Sequence, residues 1–155
     1  MSSKIDPFIE KLGNLNEIHH IVADESTPYG QILKLLHEKR LPSVILTKGD
    51  AVTGIFTERD VLNKCLVTEV DPSTPISGLM TQNPITINTS STIGDAIAIM
   101  HDKHIRNLPM VDDEGALVGL LTVGRIIRYL AYHHPTEVMN LPPRPSQVTE
   151  QTEGA

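Results

Sequence analysis

The stretch that decides the fold is Gly54-Ile55-Phe56-Thr57, because it recurs 65 residues later as Gly119-Leu120-Leu121-Thr122. Upstream, Leu36-His37-Glu38-Lys39 matches Met100-His101-Asp102-Lys103 at an offset of 64. One residue gained in the loop between these matches accounts for the difference. Two halves of the chain therefore align with a single gap, which indicates that one structural unit is used twice.

Both halves predict the same order of elements, which is strand, helix, strand, strand, helix. Alternating apolar residues predict the strands, apolar stripes at helical spacing predict the helices, and Gly and Asp predict the hairpin turns. In the first half we expect strands at Ile18–Ala23, Ser43–Thr47 and Val52–Phe56, one helix capped by Thr27 with Pro28 as its first residue, and another after Thr57. In the second half we expect strands at Pro84–Asn88, Leu108–Val111 and Leu117–Leu121, one helix capped by Ser91, and another after Thr122.

One such unit has a sheet face that it cannot cover alone, so two copies are expected to pack with pseudo-twofold symmetry. The predicted fold class is α+β, with two β-α-β-β-α repeats. A short helix is expected at Phe8–Leu12 and a helical turn at Ile76–Met80. The expected organisation is an N-terminal segment at 1–16, repeat 1 at 17–68, a linker at 69–78, repeat 2 at 79–134 and a Pro-rich tail at 135–155.

The composition excludes several classes of protein. Hydrophobic residues make up 39% of the 155 residues and aromatic ones only 3%, which predicts a globular domain with an aliphatic core. The net charge of −6 argues against a broad basic surface for nucleic acid. No apolar run is long enough for a membrane span, and the N-terminus has no signal-peptide core, so we expect a cytoplasmic protein. The single cysteine, Cys65, excludes a disulfide framework.

The repeated motifs resemble the tandem domains of the cystathionine-β-synthase type, or CBS pairs. In the first half the resemblance rests on Leu41–Ile45 and Gly54–Leu62. In the second half it rests on Asn83–Ile87, Ile105–Val111 and Gly119–Thr122. The resemblance covers residues 17–133 and leaves no separate enzyme domain. It implies a sensory module, not an enzyme, that binds an adenosine-based ligand such as AMP, ADP, ATP or S-adenosylmethionine between the repeats, with no obligatory cofactor.

The family's ligand motif, Thr/Ser-x-x-Asp, is complete at Thr57-Glu58-Arg59-Asp60. Thr57 and the free N–H groups of a helix start can hold phosphate, Asp60 can accept from ribose hydroxyls, and Arg59 adds a positive charge. The alternative is a plain helix cap. The resemblance implies that the opposite repeat completes this pocket with Asn83, Ile85, Arg106, Asn107 and Pro109. Arg106 has an equally good alternative as a solvated residue at a helix end.

The second motif departs from the family pattern. Thr122-Val123-Gly124-Arg125 has Arg125 where the ribose-binding Asp is expected. This second, degenerate pocket is either empty or holds a more anionic ligand through Arg125. The residues expected to line it are His20, Pro42, Ser43, Val44, Thr122 and Arg125.

Other features of the sequence have simpler interpretations. His101 and His104 have metal-compatible spacing but no carboxylate or Cys cluster beside them, so no metal site is expected. Cys65 lies on an apolar helix side, where an inert thiol is typical. The tail Leu141–Pro145 is either a polyproline recognition element or a bare terminus.

Apolar residues on the helices after Thr57 and Thr122 exceed what one small core needs, which predicts a homodimer. They are Val61, Leu62, Leu66, Ile126, Ile127, Tyr129 and Leu130. The sequence therefore favours a ligand sensor that signals to a regulated partner, whose identity it does not give. The alternative is a ligand-free dimerisation and interaction module.

Overall fold

Two β-sheets and four helices make up the architecture of the computed structural model, which describes residues 6–15 and 20–135. The first sheet has the order β1-β2-β3-β4, with strands Val22–Asp24, Ser43–Lys48, Ala51–Thr57 and Thr81–Gln82. The second has the order β5-β6-β7, with strands Ile87–Asn88, Asn107–Val111 and Leu117–Thr122. The helices are α1 at Tyr29–Lys39, α2 at Glu58–Asp60, α3 at Ile93–Lys103 and α4 at Val123–His133.

The first three strands of one sheet and the three strands of the other have the same order and the same pairing register. In each, a first strand runs parallel to the second, and the second pairs antiparallel with the third through a hairpin. The register shifts after Leu46 in one hairpin and after Met110 in the other, which are equivalent positions. Gly49 and Gly115 take positive φ angles of 62° and 81° in the two turns, as glycine readily does. The predicted α+β fold with two β-α-β-β-α repeats is confirmed.

Each repeat has its own apolar core, and a third cluster joins the two sheets. Val44 packs in the core of the first repeat, whereas its neighbour Ile45 packs with Ile55 and Leu120 between the sheets. Successive side chains of a strand point to opposite faces, so one strand can serve both cores. The two repeats are thereby held face to face.

A segment that precedes each repeat along the chain completes the core of the other repeat. We call these two pieces, residues 6–15 and 71–80, the exchanged segments. The N-terminal residues 6–15 pack on the second repeat, where Leu12 N donates to Ser91 O at 2.9 Å and Leu12 is fully buried. Residues 71–80 pack on the first repeat in the same way, where Ile76 N donates to Thr27 O at 2.9 Å. The two segments share an Asp-Pro pair at Asp6-Pro7 and Asp71-Pro72, a sequence signal that extends the repeat.

Two glycines let these exchanged segments approach the helices closely. A Cβ on Gly30 of α1 would lie 3.0 Å from Pro72 Cβ, and one on Gly94 of α3 would lie 3.1 Å from Phe8 O. Gly30 and Gly94 are equivalent positions of the two repeats. The same close contact is therefore built twice.

The starts of α1 and α3 differ from the sequence predictions. Pro28 precedes α1 as its N-cap, and its hydrocarbon ring cannot accept a cap bond. The backbone of the exchanged segment accepts from Tyr29 N and Gly30 N instead. Thr92, and not Ser91, caps α3, because only Thr92 has an acidic residue three positions on to close a reciprocal capping box, Asp95.

Other elements are shorter than predicted. Two 3-10 turns, Pro7–Ile9 and Leu12–Asn14, replace the expected helix at Phe8–Leu12, because the segment follows the surface of the second repeat and not its own helical bonds. The expected strand at Pro84–Asn88 is reduced to β5. Of the strand expected at Ile18–Ala23, residues 18 and 19 lie outside the described residues, as does the whole tail from residue 136. In the first repeat the last helix has three α-helical residues, followed by a π-helical segment at Val61–Leu66.

Several residues predicted at an apolar interface belong to the cores. Ile126 is only 2% exposed, so placing it on an outer face was wrong. Tyr129 and Leu130 are partly buried against the same cluster. Val61 packs against the first core. The large apolar side chains that remain exposed on these two helices are Leu62, Leu66 and Ile127, together with Val123 and Tyr132 of α4.

No helix in the described part of the chain has the length and apolar character that crossing a membrane requires. Cys65 is buried in the first core, as predicted, and burial raises the pKa of its thiol.

Candidate ligand-binding site

A cavity of about 700 Å³ lies where the two repeats meet. Its apolar floor includes Ile55 and Leu120 of the cluster between the sheets. Its walls come from the ends of β3 and β7, the first turns of α2 and α4, and the chain that follows α1 and α3. The polar and charged side chains that line it are Arg40, Thr57, Glu58, Arg59, Asp60, Thr81, His104, Arg106, Asn107, Thr122, Arg125 and Arg128.

Thr57 and Asp60 form a reciprocal capping box at the wall of this cavity. Asp60 Oδ2 accepts from Thr57 N at 2.9 Å, and Thr57 Oγ1 accepts from Asp60 N at 3.3 Å. Asp60 Oδ1 pairs with Lys64 Nζ at 3.0 Å, and Asp60 is only 9% exposed. The helix-cap interpretation of this motif is therefore realised, and the same bonds hold the Asp60 carboxylate in a fixed position on the cavity wall.

Arginine dominates the charge of the cavity. Arg40, Arg59, Arg106, Arg125 and Arg128 all line it, against two carboxylates, those of Glu58 and Asp60. None of the five makes an ion pair or a side-chain hydrogen bond with another residue in the described ranges. The site therefore carries an uncompensated positive charge in a protein whose net charge is −6.

The second motif keeps the cap but changes the side chain that follows. Thr122 Oγ1 accepts from Arg125 N at 3.0 Å, as Thr57 Oγ1 does from Asp60 N. Arg125 cannot return a bond to the cap as a carboxylate does. Its Nε is buried and has no hydrogen-bond partner among the described residues.

A smaller cavity of about 450 Å³ adjoins the first and shares Arg59, His104 and Arg106 with it. His101 lines only the smaller cavity. Within the described ranges, no group of three or more His, Cys, Asp or Glu side chains is arranged to hold a metal ion.

The two pockets predicted from the sequence share one cavity in the structure. Of the first set, the residues that line it are Thr57, Arg59, Asp60, Arg106 and Asn107. Of the second set, they are Pro42, Thr122 and Arg125. Residues from both motifs therefore face the same space.

The other predicted residues do not line this cavity. Val44 is fully buried in the core of the first repeat, and Pro109 is fully buried in β6, where it pairs with Leu120 of the cluster between the sheets. Ser43 is also fully buried, and its Oγ has no partner in the described part of the chain. Asn83, Ile85 and His20 are exposed, and Asn83 N donates to Thr53 O at 3.0 Å.

Sequence reasoning missed Arg40, His104 and Arg128. Arg40 and His104 are equivalent residues that end α1 and α3 in left-handed conformation, with φ of 53° and 54°. The aligned helix ends could have revealed this pair, since the chain turns there into the strand that borders the site. Arg128 lies one turn beyond Arg125 on α4, so helical spacing places both on one face.

Comparison with known proteins then identifies the family. The family model for the CBS domain matches residues 15–66 and 76–132. The chain belongs to the CBS-domain family. An uncharacterized protein of Methanocaldococcus jannaschii is 29% identical over 119 residues, which cover 77% of this chain and 28% of that protein. The chain spans less than half of the length of this and three further curated relatives that it matches.

Solved structures of CBS-domain proteins share the fold. A CBS domain protein from Pyrobaculum aerophilum, complexed with AMP, has a TM-score of 0.70 and 21% identity and covers 79% of this chain and 99% of its own. CBSX2, also in complex with AMP, has a TM-score of 0.69 and 24% identity and covers 79% and 97%. At this identity the likeness establishes the tandem CBS architecture of the chain.

Proposed function

We propose that this CBS pair is a regulatory module that binds an adenine nucleotide in the cavity between its repeats. The observation that carries the proposal is the cavity itself, where a fixed carboxylate at Asp60 faces the same space as five arginines. A nucleotide needs this combination, since ribose hydroxyls donate to a carboxylate and phosphate oxygens accept from guanidinium groups.

The lining residues have complementary roles in this proposal. Asp60 accepts from the ribose hydroxyls with the lone pairs that its cap and Lys64 leave available. Arg59 and Arg106 bind phosphate, and the apolar surface of Leu41, Ile55 and Leu120 packs against the base. The AMP complexes of the two structural relatives support adenine as the base.

The regulatory part of the proposal follows from the position of the site. Both repeats contribute to one cavity, so a bound ligand favours the relative placement of the repeats that fits it best. The output is a homodimer whose surface a regulated partner protein recognises. The exposed apolar side chains Leu62, Leu66 and Ile127 supply the dimer contact in this proposal, which also places the protein in the cytoplasm.

Calorimetry with AMP on the parent, Asp60→Asn and Asp95→Asn tests the binding site. Asp95 is the matched control, because it closes the same capping box with Thr92 but lies outside the cavity. We expect Asp60→Asn to weaken AMP binding about tenfold or more, since a charge-assisted bond is lost, and Asp95→Asn to leave it unchanged. Circular dichroism of each variant controls for folding.

Two outcomes would contradict the proposal. If no adenine compound binds the parent at millimolar concentration, the chain is a ligand-free interaction module. If both variants lose stability but keep equal AMP affinity, the carboxylate of Asp60 serves only as a helix cap.

A further inference from the structure

We propose that the cavity selects an adenosine ligand with two or more phosphates over AMP, and that Arg125 is the residue that recognises the added phosphate. The inference rests on the proposed function and specifies its ligand class. It depends on three observations. In the described part of the chain, the cavity is lined by arginines and not by lysines, the Arg125 Nε has no hydrogen-bond partner, and the two repeats carry different residues at the equivalent positions of Asp60 and Arg125.

The chain concentrates its arginines in one place. Five of its six arginines line the cavity, and the sixth, Arg144, lies outside the described residues. None of the six lysines in the described ranges lines it. Arginine presents a planar fork of donors that matches phosphate oxygens in pairs, whereas lysine is a compact point charge. Such a separation of the two cations indicates recognition of phosphate groups and not a general positive potential.

The number of arginines exceeds what one phosphate requires. Arg59 and Arg106, which line both cavities, suffice for a single phosphate. Arg125 and Arg128 follow on α4, and no carboxylate of the second repeat lines the cavity to neutralise them. A second anionic group of the ligand meets this remaining charge.

Arg125 lines the cavity and has an unmet donor. Its Nε is buried with no partner, and its backbone N is already used by Thr122 Oγ1. Burying a guanidinium donor without an acceptor is unfavourable, so the position is stabilised when a ligand oxygen accepts from it. No neutral or cationic ligand group satisfies this donor as well as a phosphate oxygen.

The asymmetry of the repeats orients the ligand. Asp60 and Arg125 are equivalent by register, as are Pro42 and Arg106, since Ser43 pairs with Thr57 and Asn107 with Thr122. The first repeat thus presents a carboxylate to ribose, and the second replaces a carboxylate and a proline with two arginines. The nucleoside lies toward the first repeat and the phosphate chain toward the second. A cationic adenosyl ligand such as S-adenosylmethionine is disfavoured by the same charges.

Calorimetry in metal-free buffer with ATP and AMP, on the parent, Arg125→Gln and Lys34→Gln, tests the inference. Lys34 is an exposed residue of α1 outside both cavities, so its substitution removes one positive charge without touching the site. We expect the parent to bind ATP at least about tenfold more tightly than AMP. Arg125→Gln should weaken ATP about tenfold and AMP less than about twofold, because only ATP uses the lost bond. Lys34→Gln should weaken neither by more than about twofold.

Folding is checked by circular dichroism, and Arg128→Gln replaces Arg125→Gln if the latter does not fold. Equal affinity of the parent for AMP and ATP, or equal losses of both in Arg125→Gln, would overturn the inference and leave the proposed function in place. Binding of inorganic tripolyphosphate as tight as that of ATP would overturn the nucleoside orientation. Absence of any adenine nucleotide binding by the parent would overturn the proposed function itself.

Discussion

The two repeats of this chain keep one backbone but present different charges to the space between them. Two carboxylates of the first repeat face the cavity beside its two arginines, whereas the described residues of the second repeat contribute three arginines and no carboxylate. Thr57 and Thr122 have nearly the same φ and ψ, −120° and 165° against −111° and 155°, and both side chains accept from the backbone N three residues on. The residue in that third position is Asp60 in one repeat and Arg125 in the other. The cap is therefore kept by the fold in both repeats, while the charge of the residue three positions after it differs.

The helices that follow the two caps also differ. In the first repeat α2 gives way after Asp60 to the π-helical segment Val61–Leu66, whereas α4 continues for 11 residues to His133. Only the first repeat has an ion pair inside this helix, between Asp60 and Lys64. This π-helical segment begins directly after Asp60 of the cavity wall, and such segments occur often at functional sites.

We expect the largest loss of stability from a charge placed in the last helix of the second repeat, and a smaller loss at the equivalent position of the first. Ile126→Glu puts a charge into the second core, where Ile126 is 2% exposed. We expect it to lower the free energy of unfolding by about 3–5 kcal/mol or to abolish folding. The equivalent change Val61→Glu should cost less, because Val61 is only partly buried. Urea denaturation of both variants measures the two losses in the free energy of unfolding.

Ile127→Glu is the matched control for that experiment, since Ile127 is 59% exposed on the same helix. Its unfolding free energy should stay close to the parent's, and in light scattering it should weaken the proposed homodimer. Equal destabilisation by Ile126→Glu and Ile127→Glu would contradict the division between core and interface.

The two caps should differ in strength. Thr57→Ala removes one side of a reciprocal box, whereas Thr122→Ala removes a single bond. We expect losses of about 1–2 kcal/mol and about 1 kcal/mol respectively. Thermal unfolding of both variants, with Thr92→Ala as a second reciprocal box, measures the difference. A larger loss in Thr122→Ala than in Thr57→Ala would show that the box adds nothing to the cap.

Substitution of the glycines that contact the exchanged segments should lower stability by a similar amount in both repeats. Gly30→Ala and Gly94→Ala each force a Cβ into tight contact with the segment that crosses the helix, and should cost about 1 kcal/mol. A Cβ on Gly124 of α4 would make only ordinary contacts, the nearest at 3.6 Å, so Gly124→Ala should gain about 0.5–1 kcal/mol. Chemical denaturation of the three variants measures these changes in the free energy of unfolding. Stabilisation by Gly30→Ala would contradict the tight packing.

The smallest expected effect concerns the thiol of the first repeat. Burial raises the pKa of Cys65 above its ordinary value, so the folded state favours the neutral thiol. The stability that this contributes is complete below the ordinary thiol pKa of about 8.5 and is lost as pH rises through the folded value. We expect slow alkylation by iodoacetamide in the native protein at pH 8 and fast alkylation in urea. Fast native alkylation would contradict the buried position, and Cys65→Ala should remove the added loss of stability above pH 9.

The sequence predicted those features of the fold that depend on interactions between residues close together in the chain. The aligned strands, the glycines of the two hairpin turns and the cap at Thr57 depend on alternation, positive φ and a side chain three residues from its acceptor. The cap of α1 was mispredicted because the backbone of residues 72–74 satisfies its first N–H groups, and this segment is distant in sequence. For the candidate site, Thr57, Asp60 and Arg106 were placed at the cavity by their motifs. Asn83 and Ile85 were misplaced because the expected strand at Pro84–Asn88 forms only at Ile87–Asn88, which leaves both residues exposed outside it.

The two equivalent repeats, and the difference between their motifs at Asp60 and Arg125, could be predicted from the residues alone, because repetition and substitution are visible in the sequence. The tertiary structure was needed to show that the N-terminal segment completes the core of the second repeat and residues 71–80 that of the first. It was also needed to show that Arg40, Arg106 and Arg125 line one cavity, since their convergence depends on how the two sheets face each other. Burial and charge act through space, and two residues far apart in the chain can lie close together or far apart in the fold.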